Sequence, residues 1–129
     1  MMQPVVEPFR AAVAAIALSA PQLPMLSTVS GDWLDDATAT SPEYWSRHLR
    51  KPVRFAGALG RLLDVPARVL LEVGPRSTLS TLSRQHPGVQ KQSIDAVATL
   101  SDNAASEAID FARAMGRLWC RGVRIDPAA

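Results

Sequence analysis

The segment Arg68–Val73, R-V-L-L-E-V, constrains the fold more than any other stretch of the chain. A short, nearly continuous apolar run is the pattern of a strand buried on both faces, as in parallel sheets covered by helices. Gly74-Pro75 follows at once, and Ser77–Arg84, with leucines at 79 and 82, then reads as a short helix. A buried strand that runs straight into a helix begins a layered α/β arrangement.

The rest of the chain carries the same alternation. Val6, Phe9, Val13 and Ile16 recur at helical spacing and predict an amphipathic helix over residues 5–19. Pro4 and Pro8 restrict its first turn, and Ala20-Pro21 ends it. Pro24–Gly31, P-M-L-S-T-V-S-G, reads as a short strand closing on a turn glycine, and the acidic D-W-L-D-D-A-T-A-T after it reads as loop. Ser41-Pro42-Glu43 is a helix start, with a capping hydroxyl, proline at the first helical position and an acid in the first turn. Pro52 ends that helix near Arg50. Another helix is expected from about Val53, with Phe55, Leu59 and Leu62 on one face, until Pro66. His86-Pro87-Gly88 reads as a turn and Gln92–Leu100 as a last strand. Asp102 or Asn103 then caps a final helix carrying Ile109, Ala112, Met115 and Trp119 on one side. The order of elements predicts an α/β layer structure with a parallel sheet.

Composition excludes several classes of function. At 129 residues the chain makes one modest domain or part of a larger one, and 47% hydrophobic with 20% charged residues is the balance of a packed, soluble protein. A net charge of +2 offers no bulk electrostatic case for nucleic acid or membrane as partner. No apolar run approaches the roughly 20 residues of a membrane helix. The N-terminus has no basic flank before an apolar core, which argues against a signal peptide. The single cysteine, Cys120, excludes an internal disulfide and suits a reducing, cytoplasmic setting.

Candidate chemistry is sparse. No G-x-S-x-G nucleophile turn is present, and capping or turn roles account for the serines at 27, 30, 77 and 80. His48 and His86 stand far apart, and no Cys or carboxylate spacing resembles a metal site. Nothing matches a phosphate-binding glycine loop or a dinucleotide fingerprint. The turn E-V-G-P-R-S-T at 72–78 leaves the carboxyl end of a strand and opens a helix, where α/β sheets place ligands; read plainly, it is a tight turn. Cys120 beside Trp119 is expected to pack as a small hydrophobe. Arg47, Arg50, Lys51, Arg54 and Arg61 cluster within fifteen positions, either as a solvated helix face or as a landing site for phosphates or an acidic partner.

Taken in order, four motifs resemble a known family. M-M-Q-P-V-V-E-P-F-R, P-M-L-S-T-V-S-G, P-E-Y-W-S-R-H-L-R-K-P-V-R-F and L-L-E-V-G-P-R-S-T-L look like the acyltransferase domains of modular type I polyketide synthases. More distantly they are similar to the malonyl-CoA:acyl carrier protein transacylases of fatty acid synthesis. The resemblance runs from Met1 to about Leu100, and residues 101–129 look like the linker that follows such domains.

The resemblance implies the C-terminal part of an α/β-hydrolase-like acyltransferase core, with parallel strands and flanking helices. Segments 24–31 and 68–73 would be its core strands. In that family a serine in G-H-S-x-G takes a malonyl-type acyl group from coenzyme A. A histidine serves as general base, an arginine holds the extender carboxylate, and the acyl group passes to the phosphopantetheine thiol of an acyl carrier protein. All three residues precede the part that this chain resembles, so the isolated chain is expected to be inactive and to bind no cofactor itself. The implied partners are the acyl carrier protein and the adjacent ketosynthase and linker domains of the same synthase. One site residue carries over: alignment on P-V-R-F puts His48 where the family uses a backbone carbonyl to support its catalytic histidine. The equivalent domain of a multifunctional fatty acid synthase, or a non-catalytic docking module of the same half-fold, are the competing readings.

Overall fold

The computed structural model describes residues 2–65 and 69–126. The chain divides into two compact units, Met1–Asp64 and Val65–Ala129.

The first unit opens with helix α1, Gln3–Ala14. It is shorter than the apolar spacing predicts, because its last turn tightens: the Ile16 N–H donates to the Val13 carbonyl at 3.0 Å and the chain leaves the helix. Of the four spaced residues only Val13 is buried, and Ile16 is 60% exposed. Strands β1, Leu26–Ser27, and β2, Asp32–Trp33, then form an antiparallel hairpin. Its turn closes through Gly31, whose φ of +80° favours glycine, and the Gly31 N–H donates to the Ser27 carbonyl at 2.7 Å. The acidic segment is therefore not loop throughout. It supplies β2 and then helix α2, Asp36–Ala39, which Asp35 caps by accepting the Thr38 N–H at 2.8 Å.

Helix α3, Pro42–His48, starts where the sequence places it, with the Ser41 hydroxyl accepting the Tyr44 N–H. It packs against α1, and Arg10 of α1 reaches Glu43 at 3.2 Å. Helix α4, Phe55–Leu62, buries Ala58 and Leu59. Two contacts hold it to the hairpin: the Arg54 N–H donates to the Thr28 carbonyl at 2.7 Å, and the Arg61 guanidinium meets both Asp32 oxygens at 3.0 and 3.1 Å.

The second unit is a parallel pair of strands with a helical crossover. Strand β3, Val69–Glu72, leads through α5, Thr78–Gln85, and α6, Pro87–Gln92, to β4, Asp95–Ala98. The two strands are parallel, with Val69 opposite Asp95 and Glu72 opposite Ala98. The expected turn at His86-Pro87-Gly88 is instead the start of α6. The proline takes a first-turn position, and His86 Nδ1 accepts the Gly88 N–H at 3.1 Å. A short 3₁₀ turn, Ala104–Ser106, then enters α7, Glu107–Cys120.

The strand buried on both faces is β4, not β3. Ala96 and Val97 are successive, so they point to opposite faces, yet each is 1% exposed. Helices α5 and α7 both pack on β4. Leu71 of β3 is exposed, and among the described residues β3 pairs with β4 alone. Arg68 and Pro66, expected as a strand residue and a helix breaker, lie outside the described residues. Helix α7 also presents a different stripe from the expected one: Ala114 and Leu118 are buried, while Ile109 and Trp119 are exposed. Cys120 is exposed as well, since two residues past Leu118 a helix points nearly the opposite way.

Candidate functional site

Helix α3 positions the candidate residue His48 at its last turn, and three side chains set the surroundings. Tyr44, one turn back, lies on the same helix face, as residues four apart must. Its hydroxyl donates to Ser27 Oγ at 2.8 Å, and His48 Nε2 lies 2.9 Å from the same hydroxyl oxygen. The hydroxyl thus bridges Ser27 and the imidazole, and the sense of its bond to Nε2 follows the histidine tautomer. Ser27 in turn sits in the hairpin turn and accepts the N–H groups of Val29 at 3.1 Å and Ser30 at 3.2 Å. Ser27 and Tyr44 are fully buried and His48 is half-buried.

Two aromatic rings pack against the imidazole and against each other. The Trp45 ring stacks on it at 5.8 Å between centroids, 19° from parallel, and the Tyr44 ring meets it edge-on at 5.0 Å. Trp45 is itself fixed by donating Nε1–H to the Ala39 carbonyl at 2.8 Å.

The backbone at the end of α3 is left open. The N–H groups of Arg50 and Lys51 both turn back to the Arg47 carbonyl at 3.0 Å, and that of Leu49 to Ser46 at 3.3 Å. In a continued helix the His48 carbonyl would accept from residue 52, but Pro52 has no N–H to give. Among the described residues no backbone N–H meets that carbonyl.

The other sequence candidates resolve into architecture. At the 72–78 turn, the N-terminus of α5 is already occupied by the Glu72 carboxylate, which accepts the N–H groups of Leu79 at 3.0 Å and Ser80 at 2.8 Å. Partial burial raises the Glu72 pKa. The Ser80 and Leu79 N–H groups, the Ser80 hydroxyl and the charge of Arg84 outweigh it and hold the carboxyl below its ordinary range. Thr99 ties the same turn to β4, donating its hydroxyl to the Glu72 carbonyl and accepting the Gly74 N–H, both at 3.1 Å. Ser30 Oγ accepts the Asp32 N–H at 3.3 Å, and Ser77 takes the N-cap position of α5. Of the basic cluster, Arg61 is committed to Asp32 and Arg50 to Gln3, while Arg47, Lys51 and Arg54 are exposed.

The sequence reading missed Tyr44 and Ser27 as site residues. The four-residue spacing of Tyr44 and His48 was a usable signal, but nothing local links either to a serine seventeen positions earlier.

No protein-family model matches the chain. Over 128 residues it is 32% identical to a phenolphthiocerol/phthiocerol polyketide synthase polypeptide of Mycobacterium tuberculosis, covering 97% of this chain and 8% of that protein. It is similar in structure to the acyltransferase domain of SpnD, solved in complex with 2-(pent-4-yn-1-yl)malonyl. That likeness has a TM-score of 0.84 and 32% identity over 94% of this chain and 30% of the SpnD chain. The chain belongs to the polyketide synthase acyltransferase family. The acyltransferase domain from the second module of the salinomycin polyketide synthase resembles it at a TM-score of 0.80 and 27% identity, over 97% and 28% of the two chains. This acyltransferase segment thus spans less than a third of the solved acyltransferase chains and less than a tenth of the mycobacterial synthase polypeptide.

Proposed function

We propose that the chain is part of an acyltransferase that moves a malonyl-type extender acyl group from coenzyme A to the phosphopantetheine thiol of an acyl carrier protein. On this reading the His48 carbonyl holds the catalytic histidine of that reaction. The 129 residues carry no G-x-S-x-G, so nucleophile and base come from sequence outside them, and these residues alone have no transferase activity. Residues 1–100 complete an α/β-hydrolase-like core, and 101–129 form the linker that leads on from it. The synthase is cytoplasmic, with a ketosynthase and its linker as neighbours.

The observation that carries this reading is the unclaimed carbonyl at the end of α3. A carbonyl that accepts one N–H of an imidazole fixes its tautomer, so the other nitrogen is free to take the proton of a serine hydroxyl. That serine attacks the thioester carbonyl and the coenzyme thiol leaves. The carrier thiol then displaces the serine from the acyl group, restoring the hydroxyl. The malonyl compound bound to the SpnD domain supports the choice of acyl group. Arg47, Lys51 and Arg54, exposed beside the same helix end, give an acidic carrier protein a basic approach.

The test is a structure of the intact acyltransferase domain that contains this segment. The His48 carbonyl oxygen should lie within about 3.2 Å of a nitrogen of the catalytic imidazole. A separation beyond about 4 Å, with no donor between, rejects the role.

A further inference from the structure

We propose that Tyr44 and Ser27 are positioning residues for the His48 carbonyl and act on it through the His48 imidazole; this rests on the reading of that carbonyl given above. The last turn of a helix frays when its carbonyls lack partners, and Pro52 removes the partner that would have held this one. Something other than backbone bonding has to fix the orientation of residue 48. The side chain does so. His48 Nε2 bonds the Tyr44 hydroxyl at 2.9 Å, and that hydroxyl bonds Ser27 Oγ at 2.8 Å. Ser27 is held by two N–H groups of a hairpin turn whose φ is set by Gly31.

The rings of Trp45 and Tyr44 remove the remaining freedom of the imidazole about its own bonds. With the ring held at Nε2 and by the Trp45 stack on one face, the Cα of residue 48 is restrained, and with it the peptide plane that carries the carbonyl. The bracket thereby links the β1–β2 hairpin to the open acceptor at the end of α3. A plain packing role would need neither the Tyr44–Ser27 bond nor the His48–Tyr44 bond.

Two measurements test the bracket. In the 129-residue chain, a resolved, slowly exchanging Tyr44 hydroxyl proton is expected by NMR, and Ser27→Ala and His48→Ala should each speed its exchange. A Tyr44 hydroxyl proton that exchanges equally in the parent and both variants overturns the bracket without any assay of activity. In the intact acyltransferase domain, His48→Ala and Tyr44→Phe should each lower kcat about tenfold, as misplacement of a catalytic group does, with KM for malonyl-CoA unchanged and the variants still folded at the assay temperature.

The double variant should be no slower than either single one, because both break the same chain of bonds. His48→Gln, whose side-chain amide can donate to or accept from the Tyr44 hydroxyl, should recover most of the loss. Full kcat in both single variants, or a fall matched by loss of folded protein, overturns the proposal. Pro52→Ala separates it from the reading beneath: it returns an N–H to compete for the carbonyl. If it alone slows kcat, the carbonyl role stands and the bracket falls; if none of the three variants slows kcat, both fall.

Discussion

Helices α3 and α5 each present one end where backbone groups need partners, and the chain treats the two ends in opposite ways. At the start of α5 the Glu72 carboxylate takes the N–H groups of Leu79 and Ser80, so the anion-binding end of that helix is filled from within. At the end of α3 Pro52 withholds the donor, and among the described residues no backbone N–H meets the His48 carbonyl, while the His48 side chain is held by Tyr44. A helix end that the fold closes with its own side chain is finished architecture. One that is rigid yet unsatisfied is a candidate instrument. The two would have been ranked the other way by motif alone, because a turn at the carboxyl end of a parallel strand is the familiar ligand site.

The difference can be broken most severely at Ser27. Ser27→Ala removes the one acceptor shared by Tyr44 and the N–H groups of Val29 and Ser30, at a position 2% exposed. Stranding buried donors costs about 2 kcal/mol, so denaturant unfolding of the Met1–Asp64 unit should shift by that order. No measurable shift would mean that the hydroxyl network is ornamental. Pro52→Ala is the next largest and acts in the reverse sense, by closing the open end. An amide protected from hydrogen exchange should appear at position 52 as α3 gains a turn, with kcat of the intact domain falling about tenfold. A new protected amide with undiminished kcat would show that the open carbonyl serves nothing.

The elements that local chemistry dictates were legible in the sequence. Ser41-Pro42-Glu43 starts α3 as read, and the pairing of apolar runs at 69–72 and 95–98 in a parallel sheet follows from the alternation of helix and strand. Burial was harder to read. The run at 69–73 is the more apolar, yet β4 is covered on both faces, because coverage depends on which strand the helices flank and not on its composition. Asp35 accepting the Thr38 N–H makes part of the acidic segment a helix, and Pro87 opens α6 inside the segment that reads as a turn. Prolines mark boundaries without saying which side of them is helix. Of the candidate site, the family motif singles out His48, and nothing in the sequence singles out Ser27. A contact across seventeen residues exists only once the hairpin has brought its turn to α3.

The smallest expected effect is at the closed end, where Glu72→Gln should loosen what Pro52→Ala tightens. The carboxylate of Glu72 is held below its ordinary range by the N–H groups it accepts, which outweigh its partial burial. A group whose pKa is lowered on folding adds stability above its unfolded value, and that contribution is lost as pH falls through the folded one. Glutamine keeps an acceptor oxygen but not the charge, so at neutral pH the substitution should cost about 1 kcal/mol, the scale of a lost helix cap. The amide protons of Leu79 and Ser80 should report it first, exchanging faster in the variant. As pH drops below the glutamate range the parent protein loses the same charge, so the difference between the two should shrink. A gap that stays constant from neutral pH into acid would mean that the carboxylate charge contributes nothing at α5. The N-terminus of that helix would then be open in the sense in which the end of α3 is open.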